Sequence, residues 1–490
     1  MKSSYSKNKY TRSVDEMFGR SPVSMNPKKF CRDYWNWFSS QSINELENAS
    51  NDAVLLFKKF GITFNVYGDD EEPNATTVDR IIPFDLIPRI ISHVEWDFLE
   101  NGLIQRVRAL NAFLSDVYHE GKIFSSGLIP PEIIYGNSQY RFQIQGVHFP
   151  NDIYAHVSGV DLVRTSNNDF YVLEDNMRVP SGVSYMIENR KVMMRLFPEI
   201  FEKITVSPIE HYPDLLLKHL KSAAKARSDD PCVVLLTPGI FNSAYFEHAY
   251  LAQQMGVELV EGSDLFVFED KVFMKTTAGS VRVDVIYRRI DDDYIDPLFF
   301  RHDSSLGVPG ILSVIRSGGV TICNALGTGI ADDKSVYAFV PLMIKYYLGE
   351  EPILKNIKTY SCRNKRHKSY VLANLNKLVV KEVHGAGGVG MLIGPLATKK
   401  ELSSFKDKIS AEPEGFIAQS MLSLSTSPIF VKNGVAPRHV DLRPFVLHGD
   451  DSVVIQGGLT RVALREGSVV VNSSQGGGTK DTWVVREKNA

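Results

Sequence analysis

Hydrophobic positions change their period along the chain, and each change predicts a different kind of element. Residues 94–120 carry apolar side chains at three- and four-residue spacing, which predicts one or two amphipathic helices that end at Gly121. From 140 to 190 apolar and polar positions alternate with period two, the pattern of half-buried strands. Helical spacing returns over 184–202. The first half of the chain therefore mixes helices with strands.

The second half opens with the pattern of a small α/β domain. CVVLLTPG (232–239) predicts a buried strand, and Tyr245–Met255 predicts the helix that follows it. A helix is also expected over 333–348, whereas 370–485 reads mostly as strands broken by glycines, with one helix near 399–409. We expect an α+β or α/β multidomain protein. Its parts would be an N-terminal helical extension (1–60), a part with a carboxylate-bearing hairpin (61–225), a small α/β domain (231–330) and a strand-rich C-terminal part (331–490).

Composition narrows the class of function. The formal net charge is only -2, so the chain lacks the overall basic field that favours nucleic-acid binding. The four cysteines form no C-x-x-C pair, which argues against a zinc site or a disulfide framework. The N-terminus has no apolar signal-peptide core, and no run of about 18 apolar residues occurs. We expect a cytoplasmic protein without a nucleic-acid or membrane partner.

The first candidate site is a hairpin that carries facing carboxylates. The strands 154–165 and 170–179 flank Asn167-Asn168, and asparagine tolerates the positive φ that a two-residue hairpin turn needs. With that turn, Asp161 lies directly opposite Glu174 on one face of the sheet.

These facing acids suggest a metal site. Asn176 shares the face of Glu174 because it is two residues on, whereas Asp175 points to the other face. Like charges placed opposite each other destabilise a sheet, and a divalent cation removes that penalty. Two carboxylates and an amide oxygen suit Mg²⁺, with positions left open for phosphate oxygens. The alternative is a solvated face on which the charges simply hydrate.

The second candidate site is a glycine-rich segment after a lysine-bearing strand. The segment LNKLVVKEVHGAGGVGMLIGP (375–395) contains the glycine spacing of a dinucleotide fingerprint, which requires a helix at the glycines. Met391–Ile393 followed by Gly-Pro predicts a strand instead, so the glycines should form a hairpin tip whose amides cover phosphates. Lys381 either faces solvent on an edge strand or projects into a phosphate site, and the adjacent glycines favour the phosphate site.

Four longer motifs resemble the circularly permuted ATP-grasp family, whose members are often glutathionylspermidine-synthase-like. They are VLEDNMRVPSGVSY (172–185), VIYRRIDDDYID (285–296), NALGTGIADDKSVYAFVP (324–341) and HVDLRPFVL (439–447). The resemblance extends from about residue 60 to 485. In the ordinary order the small α/β domain comes first and the magnesium motif last. Here the carboxylate hairpin precedes the α/β domain, as a circular permutation requires.

The resemblance also implies roles for individual residues. Asp161, Glu174 and Asn176 would bind Mg²⁺, Arg178 would lie near the transferred phosphoryl group or the substrate carboxylate, and Arg443 would neutralise the γ-phosphate. Lys381 and Lys334 would contact the nucleotide, and Gly387 and Gly388 would cover its phosphates. Gln419, Met421 and Leu422 would form the adenine hinge. Arg461 and Asn472 are further candidates on the sheet face that carries these contacts. We interpret Asp291–Asp293 as a polar loop that borders the acceptor site together with Arg288 and Arg289.

The resulting hypothesis is a carboxylate–amine ligase that uses ATP and Mg²⁺ and forms an amide through an acyl phosphate. Its substrates would be small-molecule or peptide acids and amines. An alternative is a nucleotide-binding scaffold or regulatory protein of the same fold without turnover. A dinucleotide-dependent oxidoreductase is a third reading, and a strand at 391–393 would exclude it.

Overall fold

The computed structural model describes residues 2–3, 13–20, 25–66, 78–224, 228–383, 385, 390–432, 434–468, 471 and 477–486. Three helices begin at a capping box, in which Ser42, Ser92 and Thr398 are the capping residues. The α-helices are α1 (Arg32–Ser40), α2 (Ile43–Lys59), α3 (His93–Tyr118), α4 (Lys122–Ser125), α5 (Pro131–Tyr135), α6 (Val183–Leu196), α7 (Pro198–Lys203), α8 (Tyr212–Ser222), α9 (Tyr245–Met255), α10 (Asp292–Ile295), α11 (Ile311–Arg316), α12 (Lys334–Tyr337), α13 (Val340–Met343), α14 (Lys365–Ala373) and α15 (Lys399–Ala411).

The strands belong to several sheets and are numbered along the chain. They are β1 (Lys2–Ser3), β2 (Thr63–Val66), β3 (Val78–Ile81), β4 (Phe84–Ser92), β5 (Val157–Arg164), β6 (Phe170–Asn176), β7 (Val233–Leu236), β8 (Glu258–Val260), β9 (Leu265–Phe268), β10 (Lys271–Thr276), β11 (Gly279–Val283), β12 (Val285–Arg288), β13 (Thr321–Cys323), β14 (Lys355–Asn356), β15 (Thr359–Ser361), β16 (Leu378–Glu382), β17 (Met391–Ile393), β18 (Phe416–Ser420), β19 (Thr426–Val431), β20 (Gly434–Arg443), β21 (Phe445–His448), β22 (Ser452–Val454), β23 (Leu459–Val462) and β24 (Gly478–Val485).

The largest sheet joins strands from both halves of the chain. Its order is β14-β6-β5-β20-β23-β24-β4, with β1 and β19 on β20 and the pair β21-β22 beside β5. The carboxylate hairpin β5-β6 therefore pairs with β20, the strand of the C-terminal half that carries Arg443. This pairing places early and late motifs side by side, as the predicted permutation requires.

Two smaller sheets complete the surroundings of the site. A parallel sheet in the order β13-β12-β7-β8, with α9 between β7 and β8, forms the small α/β unit that the sequence predicts. An antiparallel sheet in the order β15-β18-β16-β17 carries Lys381 and the glycine-rich segment. In that sheet Lys381 pairs with Met391, so Met391–Ile393 form a strand and the dinucleotide reading is excluded.

The hairpin differs from its prediction at the turn. Thr165 N donates to Asp169 O at 2.9 Å and Asn168 has a φ of 71°, so the loop is a three-residue turn with its last residue left-handed. The predicted two-residue turn at Asn167-Asn168 is wrong. The register shifts between Asp161 and Leu162, where a β-bulge adds one residue to β6, and Asp161 faces Glu174 as predicted.

The N-terminal helices pack against the large sheet through aromatic side chains. Tyr34 and Phe38 on α1 are fully buried, and the Tyr34 ring lies 5.4 Å from the ring of Trp483 on β24. The aromatic cluster near residue 35 is therefore part of a core that joins both ends of the chain. The four predicted domain boundaries remain a prediction.

The segment Asp291–Asp293 differs from the polar loop that the sequence predicted. Asp292–Ile295 form the short helix α10, and Asp292 is fully buried between Arg288 and Arg141, with contacts of 2.6 and 3.2 Å. Asp292 is buried because it pairs with these two arginines, and the charge pattern of the sequence alone does not indicate that pairing. Among the described residues, no helix combines the length and apolar composition that crossing a membrane would take.

Candidate active site

A cleft lies between the large sheet and the small antiparallel sheet β15-β18-β16-β17. One end is apolar and the other is charged, so the cleft matches a ligand with a flat apolar ring and an anionic chain. The apolar end is formed mainly by Val163, Leu173, Ile357, Val379, Met391, Ile393, Met421, Leu422, Leu424 and Val440. The charged end is formed by Glu174, Lys334, Lys381, Glu382, Asp441 and Arg461.

The two candidate sites of the sequence meet at the charged end. Glu174 reaches it from β6, and Lys381 reaches it from β16 in the other sheet. Burial raises the pKa of Glu174 and nearby Asp161 adds to this, while Lys334 and Lys381 oppose the rise. Burial lowers the pKa of Lys381 to about 8, although Glu174 counteracts part of the effect. Lys334, on α12, also donates to the carbonyl of Gly385 in the glycine-rich segment.

Asp161 is the centre of a buried ion cluster. Arg443 donates to its two oxygens at 2.5 and 2.8 Å, and Arg461 donates to it at 2.6 Å. Burial alone would raise the pKa of Asp161, but the two guanidinium groups hold it below its ordinary value. Arg461 also pairs with Asp441, directly opposite it on β20. The cluster sets the positions of two arginines, of which Arg461 lines the cleft.

The predicted metal ligands offer a donor set that fits a hard cation. Glu174 and Asn176 share one face of β6, and the Asn176 Nδ2 donates to Gly159 O at 3.0 Å, which leaves its amide oxygen available. Asp161 would complete the set by giving up one of its arginine contacts. Among the described residues no group of three or more His, Cys, Asp and Glu side chains has the geometry of a metal site, and the set proposed here has an amide as its third ligand.

The predicted adenine hinge lines the apolar end. Gln419 is buried on β18 and its Nε2 donates to Thr359 Oγ1 at 3.1 Å, which ties β18 to β15. Met421 and Leu422 follow β18 and contribute to the same wall. The stretch therefore forms an apolar surface on which a base can stack. Gly387, Gly388 and Asn472 lie outside the described residues, so their predicted roles remain predictions.

Arg178 lines a second, polar cavity at the end of β6. Its Nη1 is 3.2 Å from Asp291 Oδ1 and 3.4 Å from Gln139 Oε1. Asn176 lines this cavity, and Glu174, two residues earlier on β6, lines the cleft. Part of its wall comes from Pro238 and Arg289, which follow the carboxyl ends of β7 and β12, the edge where open α/β sheets bind ligands. Of the suggested bordering arginines, Arg289 lines the cavity.

Three residues near these spaces had no role in the sequence prediction. Asn324 follows β13, and its side chain bonds to both ends of the hairpin, accepting from Val157 N at 2.9 Å and donating to Met177 O at 2.8 Å. Asp332 accepts from Met177 N and lines the second cavity, where burial raises its pKa to about 7. His248, on α9, lines the same cavity. Asn324 and Asp332 lie within a recognised motif, but His248 lies outside every motif that carried the resemblance.

This architecture, a cleft between a large mixed sheet and a small antiparallel sheet with an acidic strand on one side and a lysine strand on the other, defines the ATP-grasp class. The chain belongs to the circularly permuted ATP-grasp type 2 family, whose sequence model matches residues 88–463. The resemblance inferred from the motifs is thereby confirmed.

Relatives and a solved structure agree with this assignment. An uncharacterized protein of Synechocystis is 50% identical over 452 residues, which are 92% of this chain and 93% of the relative. A Frankia alni protein provisionally named a glutamate–cysteine ligase is 43% identical over 429 residues, 87% of this chain but 49% of the relative. The chain thus spans about half of that protein. The apo structure of a glutathione synthetase-like effector from Globodera pallida has a TM-score of 0.57 over 91% of this chain and 98% of its own, at 10% identity, a likeness of fold.

Proposed function

We propose that the protein is an ATP- and Mg²⁺-dependent carboxylate–amine ligase that forms an amide bond through an acyl phosphate. The observation that carries the proposal is the convergence of Glu174, Lys381 and Arg461 in one cleft, with a second, polar cavity lined by Asn176, two residues beyond Glu174 on β6. A triphosphate in the cleft and an acid in the cavity would meet at the end of β6. The provisional name of the Frankia relatives is compatible with this chemistry, although this chain covers about half of them.

Phosphoryl transfer needs positioning and charge neutralisation more than covalent help. Lys381 and Lys334 would bind phosphate oxygens, and Arg443 would stabilise the charge on the transferred phosphoryl group. Glu174, Asn176 and Asp161 would hold Mg²⁺, which when bound neutralises charge on the phosphate oxygens. Arg178, at the entrance of the cavity, would orient the carboxylate for attack.

The reaction has two steps, phosphorylation of the carboxylate and attack of the amine on the acyl phosphate. A carboxylate oxygen attacks the γ-phosphorus and ADP leaves, which gives the acyl phosphate. The amine nitrogen then attacks the acyl carbon and inorganic phosphate leaves, with one carboxylate oxygen transferred to it. The ammonium must lose a proton to attack, and Asp332 is buried beside the cavity with a pKa raised to about 7, which suits a proton acceptor at neutral pH.

The test follows that oxygen atom. The purified protein is incubated with Mg²⁺-ATP and pools of amino acids, short peptides and polyamines, and ADP is measured together with product masses. For an active pair, the acid is then labelled with ¹⁸O in its carboxylate. We expect one ¹⁸O per turnover in the released phosphate and an amide product lighter by one water than the acid plus the amine.

Two results would contradict the proposal. Amide formation with AMP and pyrophosphate would show an adenylate in place of an acyl phosphate. Tight binding of ATP without acid-dependent ADP release in any pool would favour the nucleotide-binding scaffold.

A further inference from the structure

The second cavity contains hydrogen-bond donors that the protein itself does not use. It measures about 310 Å³, within the range of roughly 300–1,000 Å³ for small-molecule sites. His248 is 1% exposed and Arg289 is 4% exposed, and both line it. Buried donors are nearly always paired, because a donor that loses water on burial without gaining an acceptor destabilises the fold. Unused donors in a cavity wall therefore point to a ligand.

Arg289 has one unused edge. Its Nη1 donates to Pro180 O at 2.8 Å, and its Nη2 donates to Ser181 Oγ and Glu247 Oε1 at 2.6 and 3.0 Å. Its Nε has no hydrogen-bond partner among the described residues. Glu247 thus compensates the charge from the Nη side, and the Nε side is left for another acceptor.

His248 presents a second unused donor. Its Nδ1 lies 2.9 Å from Thr237 Oγ1, which already accepts from Gly239 N at 3.2 Å. The threonine hydroxyl can donate its proton to Nδ1, and in that tautomer the ring proton lies on Nε2. Burial and the neighbouring Arg289 charge lower the pKa of His248 to about 2, so the ring stays neutral. In that tautomer Nε2, for which the described residues supply no hydrogen-bond partner, makes His248 a neutral donor among the residues that line the cavity.

The start of α9 opens onto the same wall. Ala244, its N-terminal cap position, lines the cavity. Asn242 accepts from the Ala244 and Tyr245 amides, and among the described residues no side chain caps the amides that follow in this eleven-residue helix. The free amides and the dipole at such a helix start favour an anionic group. Three features, the incompletely paired Arg289 side chain, the His248 ring and the start of α9, thus line one cavity.

We propose that this wall binds a carboxylate, so that the acid substrate is a dicarboxylic acid of amino-acid size, with one carboxylate held by His248, Arg289 and the start of α9 and the other placed at Arg178 for activation. The identity of the activated carboxylate rests on the proposed function. The bound carboxylate at the α9 wall does not depend on it.

The test compares isosteric ligands in calorimetric titrations of the full chain without nucleotide. The probes are glutarate, L-glutamate and its two monoamides, L-glutamine and L-isoglutamine, with inorganic phosphate as a separate arm. We expect L-glutamate or glutarate to bind, and each monoamide to bind at least tenfold more weakly because it lacks one charge. Equal affinity for L-glutamate and a monoamide, tighter binding of phosphate than of either dicarboxylate, or no dicarboxylate binding would each overturn the proposal.

Variants locate the bound carboxylate. His248→Phe removes the donor and should weaken dicarboxylate binding at least tenfold, whereas His248→Gln retains a donor near Nε2 and should restore part of it. His219→Gln is the matched control, because His219 is a largely buried histidine on α8 whose Nδ1 bonds to Leu215 O. Unchanged binding in a folded His248→Phe protein would refute the assignment. If that variant does not fold, the wild-type comparison of L-glutamate with its monoamides still decides.

The two proposals fail in different ways. Dicarboxylate binding that discriminates against monoamides, without amide formation in any screen, would leave the binding site standing and remove the ligase. Amide formation only from monocarboxylic acids would support the ligase and contradict the dicarboxylate site.

Discussion

Glu174 on β6 and Lys381 on β16 line one cleft from opposite sheets, and each opposes the pKa shift that burial causes in the other. Neither residue is fully compensated by this single partner. A bound polyanion with its counter-cation would satisfy both, because the lysine gains phosphate oxygens and the carboxylate gains a cation. The effects of removing each side chain should therefore appear in ligand binding and turnover before they appear in stability.

The Glu174→Gln variant tests the acidic side of the cleft. The amide keeps the shape but not the charge, so ADP release should fall about 100-fold or more, as expected when a preorganised charge interaction is lost. The free energy of unfolding should stay the same or rise, because burial raises the pKa of this carboxyl and the charge is costly there. Steady-state ADP release and urea denaturation measure the two quantities.

Glu351→Gln is the control for that variant, since Glu351 forms an exposed pair with Lys345. It should leave ADP release unchanged. Release at the wild-type rate by Glu174→Gln would remove Glu174 from the proposed metal set.

The Lys381→Met variant tests the basic side. Methionine keeps the length and apolar stem of the lysine but removes its charge, which should weaken ATP binding about tenfold or more. Stability should not fall, because the protein no longer has to bury an ammonium group whose pKa is lowered to about 8. Lys377→Met in the same small unit removes an exposed charge and serves as the control. Equal ATP affinity of the two variants would contradict the phosphate role of Lys381.

Asp161 should behave differently from its neighbour Glu174, although both were predicted as metal ligands. Asp161→Asn leaves Arg443 and Arg461 buried without their shared carboxylate, which should destabilise the protein by about 3–5 kcal/mol. The double variant Asp161→Asn/Arg443→Met should recover part of that loss, because one uncompensated charge is removed. Denaturation of the four proteins in this cycle gives the coupling energy, and a value near zero would show that the cluster does not stabilise the fold.

The sequence predicted the elements whose identity follows from local rules. The helix at Tyr245–Met255 has the bounds that its apolar spacing gave, and Met391–Ile393 form the strand that distinguishes a phosphate-covering hairpin from a dinucleotide site. The facing of Asp161 and Glu174 was also predicted, but from a turn that is wrong. A three-residue loop and a β-bulge shift the register in opposite directions, and their effects cancel at this pair.

The ion cluster and the second cavity could not be predicted because they depend on distant segments. Arg461 and Asp161 meet only when β23 joins β20 and β5 in the large sheet, and no local spacing encodes that pairing. Likewise, His248 lies on a helix face, where a histidine is usually a packed core residue. A cavity beside His248 exists only because the strand ends of the α/β unit lie against the end of β6, and the sequence does not encode that contact locally.

Acid should destabilise the protein through buried imidazoles before carboxylates protonate. Burial lowers the pKa of His156 to about 3, that of His248 to about 2 and that of His448 to about 4, from an ordinary value of 6.5. These rings stay neutral in the fold while the unfolded chain binds protons below 6.5, so stability is complete above that pH and is lost as the pH falls. Each ring should remove about 2 kcal/mol between pH 6.5 and 5, since one proton costs about 1.4 kcal/mol per pH unit.

His156→Phe isolates one of these contributions. Both ring nitrogens of His156 are buried without a hydrogen-bond partner among the described residues, so phenylalanine removes a titrating group and no hydrogen bond. We expect the free energy of unfolding to fall less steeply between pH 7 and 5 in this variant, by about one proton, when urea denaturation is followed across that range. His211→Gln, at an exposed position, should keep the wild-type slope. Equal slopes for wild type and His156→Phe would mean that His156 is already protonated in the folded protein.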